Sequence, residues 1–283
     1  MNRFLRNCFL ALRPKQWSKN LLLLAAPFAA SVDFTSNTRT IFLGLFAFSI
    51  VSSIGYVFND LSDIEIDRFH PKKSFRPFAS GILSRAVGDS LILILFLMLF
   101  VLVLQLPRIF GLILIVYLIN SILYTRILKT IPVVEMFSVS FGFVLRLISG
   151  ALVLDLIISE WFIIVGGFGA LFIVSAKRMA ELKQQTERSV RKVVRAYSLD
   201  FLQTCSSVSI SVTVASYCLW AFGQSQSLFW HQVSVIPFVM SLFRYRWISE
   251  TSAVETPEDV ILGDKTLLLL STCLILFLSI AIF

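Results

Sequence analysis

Long uncharged apolar runs constrain this chain more than any other feature. Stretches 40–58, 89–106 and 109–127 each hold about twenty residues with at most one charge, enough to cross the ~30 Å hydrocarbon layer of a bilayer as a helix. With shorter runs and runs carrying two charges included, nine apolar stretches can be marked: 19–32, 40–58, 89–106, 109–127, 132–154, 161–178, 203–223, 228–243 and 266–283. Backbone amides cannot be left unpaired in lipid, so spans of this composition are helical. The expectation is an all-α polytopic membrane protein, a bundle of about nine transmembrane helices forming one domain over 1–283. The composition agrees, at 57% hydrophobic residues and a mean hydropathy of +0.84 over 283 residues. A large soluble domain has no room. No cleavable signal peptide is expected, because the basic start MNRFLRNCFLALRPKQWSKN is broken by Pro14 and lacks a small-residue cleavage site.

Charge sets the expected orientation. With the N-terminus in the cytoplasm and alternating spans, all but Arg39, Arg108 and the intramembrane Arg146 of the 25 Lys and Arg residues fall on the cytoplasmic side. This is the positive-inside pattern of a multi-pass protein of the cell's inner (plasma) membrane. It also accounts for the net charge of +8 through topology and anionic lipid, with no call on nucleic acid. Four scattered cysteines without a CxxC pair, and two distant histidines, suggest neither a disulfide framework nor a His/Cys metal site.

Two polar loops stand out, 59–88 and 177–202. The first begins NDLSDIEIDRFHPKKSFRP (59–77). Asp60, Asp63 and Asp67 stand at i, i+3 and i+7, which places them within a sector of roughly 60° on one helix face. Asn59 flanks that sector, and Glu65 points away into solvent. Carboxylates this close repel one another and need a cation. A donor set made only of oxygens suits Mg²⁺ completed by substrate phosphates. Lys72, Lys73 and Arg76 follow within ten residues, with His70-Pro71 and Pro77 stopping the helix. Acid, metal, phosphate and base form a consistent sequence of partners. The alternative is a solvated loop whose charges pair among themselves. In RPKQWSKN (13–20), Lys15 and Lys19 either snorkel as an interfacial anchor around Trp17 or reach a phosphate of the same site. Arg146 is costly at membrane depth. It either faces a cavity and meets a lipid phosphate, or pairs with Glu135, or snorkels.

The spacing Asn59-Asp60-x-x-Asp63-x-x-x-Asp67 resembles the signature of the UbiA-type prenyltransferase superfamily, nine-helix membrane enzymes with a Mg²⁺-dependent diphosphate site. RPKQWSKNLLLLAAPFA (13–29), LKTIPVVEMFSVSFGFVLRLISGA (128–151), SAKRMAEL (175–182), RAYSLDFL (195–202) and TPEDVILGD (256–264) resemble, more narrowly, the polyprenyl-phosphate phosphoribosyltransferase branch, acting in cell-wall arabinan synthesis. That superfamily usually carries a second DxxxD in the loop after span 6. Here the loop offers Lys177, Arg178, Glu181 and Tyr197 instead.

The resemblance implies transfer of 5-phosphoribosyl from phosphoribosyl diphosphate to a polyprenyl (decaprenyl) phosphate. It implies Mg²⁺ on Asp60, Asp63 and Asp67, and phosphate contacts from Asn59, Lys72, Lys73 and Arg76. Lys177 and Arg178 would take the 5-phosphate and Tyr197 a ribose or phosphate oxygen. A homo-oligomer is compatible with all of this. Two other readings stay open: a prenyltransferase acting on an aromatic acceptor, disfavoured by the missing DxxxD, and a cation-coupled transporter, whose acids should lie nearer the bilayer midplane.

Overall fold

A computed structural model describes residues 3–71, 73–183, 193–224, 227–251 and 257–282. Lys72, and Arg188, Arg191 and Lys192 of the second loop, lie outside them. Among the described residues all regular structure is helical. The chain divides into two compact units, residues 1–129 with 145–157, and residues 130–144 with 158–283.

The first unit opens with α1 (Arg3–Ala11), a 3₁₀ segment (Pro14–Leu24) and the short α2 (Ala25–Ala29). Its centre is α3 (Phe34–Ser62), begun by Asp33, whose Oδ1 accepts the Thr35 amide at 2.9 Å. Side-chain capping of this kind satisfies an amide that the helix itself leaves open. After a break at Asp63 come α4 (Ile64–Arg68), α5 (Arg85–Val103) and α6 (Arg108–Arg126). The last turns of α7 (Val134–Leu152) also belong to this unit. Phe48, Ile54, Phe110 and Leu114 are buried between α3 and its neighbours.

Polar residues on α3 fasten the N-terminal segment. Trp17 Nε1 donates to Ser53 Oγ at 3.0 Å, and Asn20 Nδ2 donates to Ser49 Oγ at 3.0 Å. On the other side, Gly150 of α7 lies so close to the segment that a Cβ there would fall 1.8 Å from the Leu23 carbonyl oxygen. Only glycine permits that approach.

The second unit holds the start of α7, then α8 (Glu160–Lys183), α9 (Leu199–Phe222), α10 (Leu228–Thr251), α11 (Pro257–Gly263) and α12 (Lys265–Ile282). Met136, Phe172, Met179, Leu202, Tyr245 and Leu267 are buried together in its core.

Seven described helices are long and apolar enough to cross a membrane: α3, α5, α6, α7, α8, α9 and α12. The other two expected spans take different forms. The stretch 19–32 is divided between the 3₁₀ segment and α2. The stretch 228–243 lies in α10, which is long enough, but His231, Gln232, Pro237 and Arg244 dilute its apolar character.

Candidate active site

The NDxxDxxxD stretch lies where α3 passes into α4. The expected single helix is interrupted at Asp63, yet the amides of Asp63 and Asp67 still bond the carbonyls of Asn59 and Asp63 at 3.0 and 2.8 Å. The four-residue register therefore survives the break. Helix α4 ends at Arg68, just ahead of His70-Pro71. Glu65 is exposed and paired with Arg68 at 3.2 Å.

Each of the three aspartates carries a cation. Asp60, 3% exposed, accepts from Arg13 through both carboxylate oxygens: from Nε at 3.3 Å, and from Nη2 in a second, close contact. Arg76 Nη1 also donates to Asp60 Oδ1, at 3.0 Å, and to Asp67 Oδ2 at 2.5 Å. Lys73 Nζ stands 4.0 Å from Asp67 Oδ1. Asp63, whose side chain is 19% exposed, is the most open of the three and pairs with Lys129 at 2.6 Å. Asn59 Oδ1, one turn before it, accepts from Thr125 Oγ1 at 3.2 Å.

The structure thus brings together Asn59, Asp60, Asp63, Asp67, Lys73 and Arg76, and adds Arg13, Lys129 and Thr125. Arg13 sits within the RPKQWSKN stretch but is 47 residues from Asp60. No local spacing signals that pairing, although arginine is the residue suited to two-point contact with a carboxylate. Lys15 is exposed and Lys19 half-buried on the 3₁₀ segment.

Arg146 takes a separate place in the first unit. It is 4% exposed, donates from Nε to Asn20 Oδ1 at 3.0 Å and from Nη2 to Tyr117 Oη at 2.6 Å, and lies over the Phe48 ring. Phe48 precedes Asp60 by about three turns, roughly 18 Å along α3. Glu135, one of the partners considered for Arg146, is instead bound by Arg178.

That pair anchors a compact network in the second unit. Arg178 donates from Nε and Nη2 to the two oxygens of Glu135 at 2.7 and 2.6 Å, and from Nη1 to Glu181 at 2.7 Å. Tyr197 Oη accepts the Val133 amide at 2.6 Å and lies 3.4 Å from Glu135 Oε1. Burial raises the Tyr197 pKa, so this hydroxyl stays protonated. Lys177 is half-buried beside Arg178.

Among the described residues no three acidic, His or Cys side chains are grouped to hold a metal unaided. Mg²⁺ does not require such a cage, since it binds through one or two carboxylates and completes its shell with water and substrate phosphates. An all-oxygen donor set around the relatively open Asp63 fits a metal of that kind.

The chain matches the UbiA prenyltransferase family over residues 21–260. It is 36% identical to the decaprenyl-phosphate phosphoribosyltransferase of Corynebacterium glutamicum, over 96% of this chain and 86% of that one. It is 35% identical to the enzyme of the same name from Mycobacterium tuberculosis, over 92% and 89%. Its fold is similar to that of a UbiA homolog from Archaeoglobus fulgidus solved with DMAPP and Mg²⁺, with a TM-score of 0.77 at 15% identity, covering 98% of this chain and 99% of that one.

Proposed function

The chain belongs to the UbiA prenyltransferase family, and we propose that it moves 5-phosphoribosyl from phosphoribosyl diphosphate to a polyprenyl phosphate in the membrane. What carries this reading is the interleaved cluster of Asp60, Asp63 and Asp67 with Arg13, Lys73, Arg76 and Lys129. It occurs in a chain similar to phosphoribosyltransferases over nearly its whole length. A diphosphate needs both signs of charge around it: cations on its own oxygens, and acids for the metal it brings.

Asp63, with Asn59 one turn earlier, is the first holder of Mg²⁺. Asp67 lies one turn beyond and shares Arg76 with Asp60. When bound, the metal supplies charge neutralisation for the departing diphosphate. The chain's own residues do the rest. Arg76, Lys73 and Lys129 bind and orient the phosphates; Lys72 immediately precedes Lys73 in the sequence. The ribose C1–O bond to diphosphate breaks with its electron pair leaving on the diphosphate, and a phosphate oxygen of the lipid forms the new bond to C1. That oxygen is already anionic near neutral pH, so the step needs alignment and charge stabilisation more than a general base.

In the second unit, the described donors of Arg178 are directed at Glu135 and Glu181. Arg178, Glu135, Glu181 and Tyr197 together hold the end of α8 that carries Lys177. The N-terminal side is cytoplasmic, where a water-soluble donor is available. The test is transfer of label from phosphoribosyl diphosphate into polyprenyl phosphate by the purified protein with Mg²⁺. A parallel reaction with prenyl diphosphate and an aromatic acid gives product if the aromatic reading holds instead.

A further inference from the structure

We propose that Asp60 is a positioning residue rather than a metal ligand: it yokes Arg13 and Arg76 into a paired-guanidinium clamp for a diphosphate. The inference rests on the phosphoribosyl-transfer reading only for the identity of the donor, since any diphosphate ester would satisfy the clamp.

Both oxygens of Asp60 are engaged by arginine, and the residue is 3% exposed. A metal binding there would have to dislodge two guanidinium groups from a buried acid. Asp63 is more open and meets a single lysine. The local charge points the same way. Arg13, Lys73, Arg76 and Lys129 face Asp60, Asp63 and Asp67, so cations outnumber acids among the described residues. An excess of positive charge makes a receptor for an anion, not a cage for a cation.

The donor inventory completes the case. A guanidinium offers five N–H groups in a fixed fork. Arg13 spends Nε and Nη2 on Asp60, and Arg76 spends Nη1 on Asp60 and Asp67. Arg13 Nη1, and Arg76 Nε and Nη2, have no hydrogen-bond partner among the described residues, and the two side chains are 22% and 24% exposed. Two cations this close repel each other, and the carboxylate between them offsets the repulsion. Arg13 is also held from behind. Its backbone adopts φ 54° at the start of the 3₁₀ segment, which Trp17 and Asn20 tie to α3.

The test separates clamp from metal site. Inorganic diphosphate is titrated calorimetrically into the purified full chain with chelator present. The native protein is expected to bind it, and Asp60→Asn and Arg13→Lys each to weaken binding about tenfold, because lysine keeps the charge but loses the fork. In the transfer reaction, Asp60→Asn is expected to raise KM for phosphoribosyl diphosphate more than it lowers kcat, with the Mg²⁺ half-saturation point unmoved. Undiminished chelator-phase binding by Asp60→Asn, or a shift in its Mg²⁺ half-saturation, overturns the proposal. If Asp60→Asn fails to fold, Arg13→Lys and Arg76→Lys decide, and native-like diphosphate binding by both is contradictory. Failure of label transfer alongside intact diphosphate binding would refute the phosphoribosyl reading and leave the clamp standing.

Discussion

Arg178 closes a two-point ion pair on Glu135, with both side chains almost fully buried. Removing one partner leaves a charge in a place where it cannot be hydrated. Arg178→Ala is expected to destabilise the folded protein by about 3–5 kcal/mol, the range for an orphaned buried charge. Thermal unfolding in detergent measures this. Replacing the two residues together by apolar ones of similar volume should cost much less than the single change.

Asp63→Asn should reduce transfer by roughly 10²-fold while leaving the protein folded, because its side chain is part-exposed and has one lysine partner. Chelator should abolish transfer by the native protein, and added Mg²⁺ should restore it. A rise in the Mg²⁺ concentration needed by Asp63→Asn, read from initial rates, identifies the residue as a metal holder.

Much of this site is legible in the sequence because its signal is local. The aspartates recur at helical spacing, and His70-Pro71 marks the end of α4. The cations that complete it are not local: Arg13 reaches Asp60 across 47 positions and Lys129 reaches Asp63 across 66. Periodicity carries no information about contacts at that range, so Lys15 and Lys19 stand out as readily as Arg13 in RPKQWSKN. The membrane class is equally legible from the apolar runs, and seven of the nine marked stretches correspond to described helices long and apolar enough to cross a membrane. Hydropathy carries no signal of the local geometry of 19–32, where a 3₁₀ segment accommodated by Ser49, Ser53 and Gly150 leads into α2.

Gly150→Ala tests that accommodation. The added Cβ has no space beside the Leu23 carbonyl, and the obstacle is backbone rather than a flexible side chain. The expected loss is about 1–3 kcal/mol, as for overpacking generally. Because Leu23 belongs to the segment bearing Asn20, which accepts from Arg146, thermal stability should fall with it. Gly81→Ala is a useful comparison: its φ of 76° strains the substitution, but nothing lies near its Cβ.

Asp33 gives a pH dependence of defined sign. Hydrogen bonds from the Ser36 and Thr35 side chains, then from the Thr35 amide, hold its carboxyl down to about 2 from the ordinary 3.8. A carboxyl depressed in the folded state stabilises above its unfolded value, and that stabilisation disappears as pH falls through the folded value. The stability advantage of the native protein over Asp33→Ala should therefore be full above about pH 4 and decline toward about pH 2. Paired thermal unfolding curves across that window measure it. An advantage that grew with acidity would contradict the capping role.

The most direct test of the account is transfer of labelled phosphoribosyl from its diphosphate to polyprenyl phosphate by the purified chain. Mg²⁺-dependent labelling of the lipid is expected, lost with chelator and sharply reduced in Asp63→Asn. An unlabelled lipid, with a prenylated aromatic product in the parallel reaction, would contradict it.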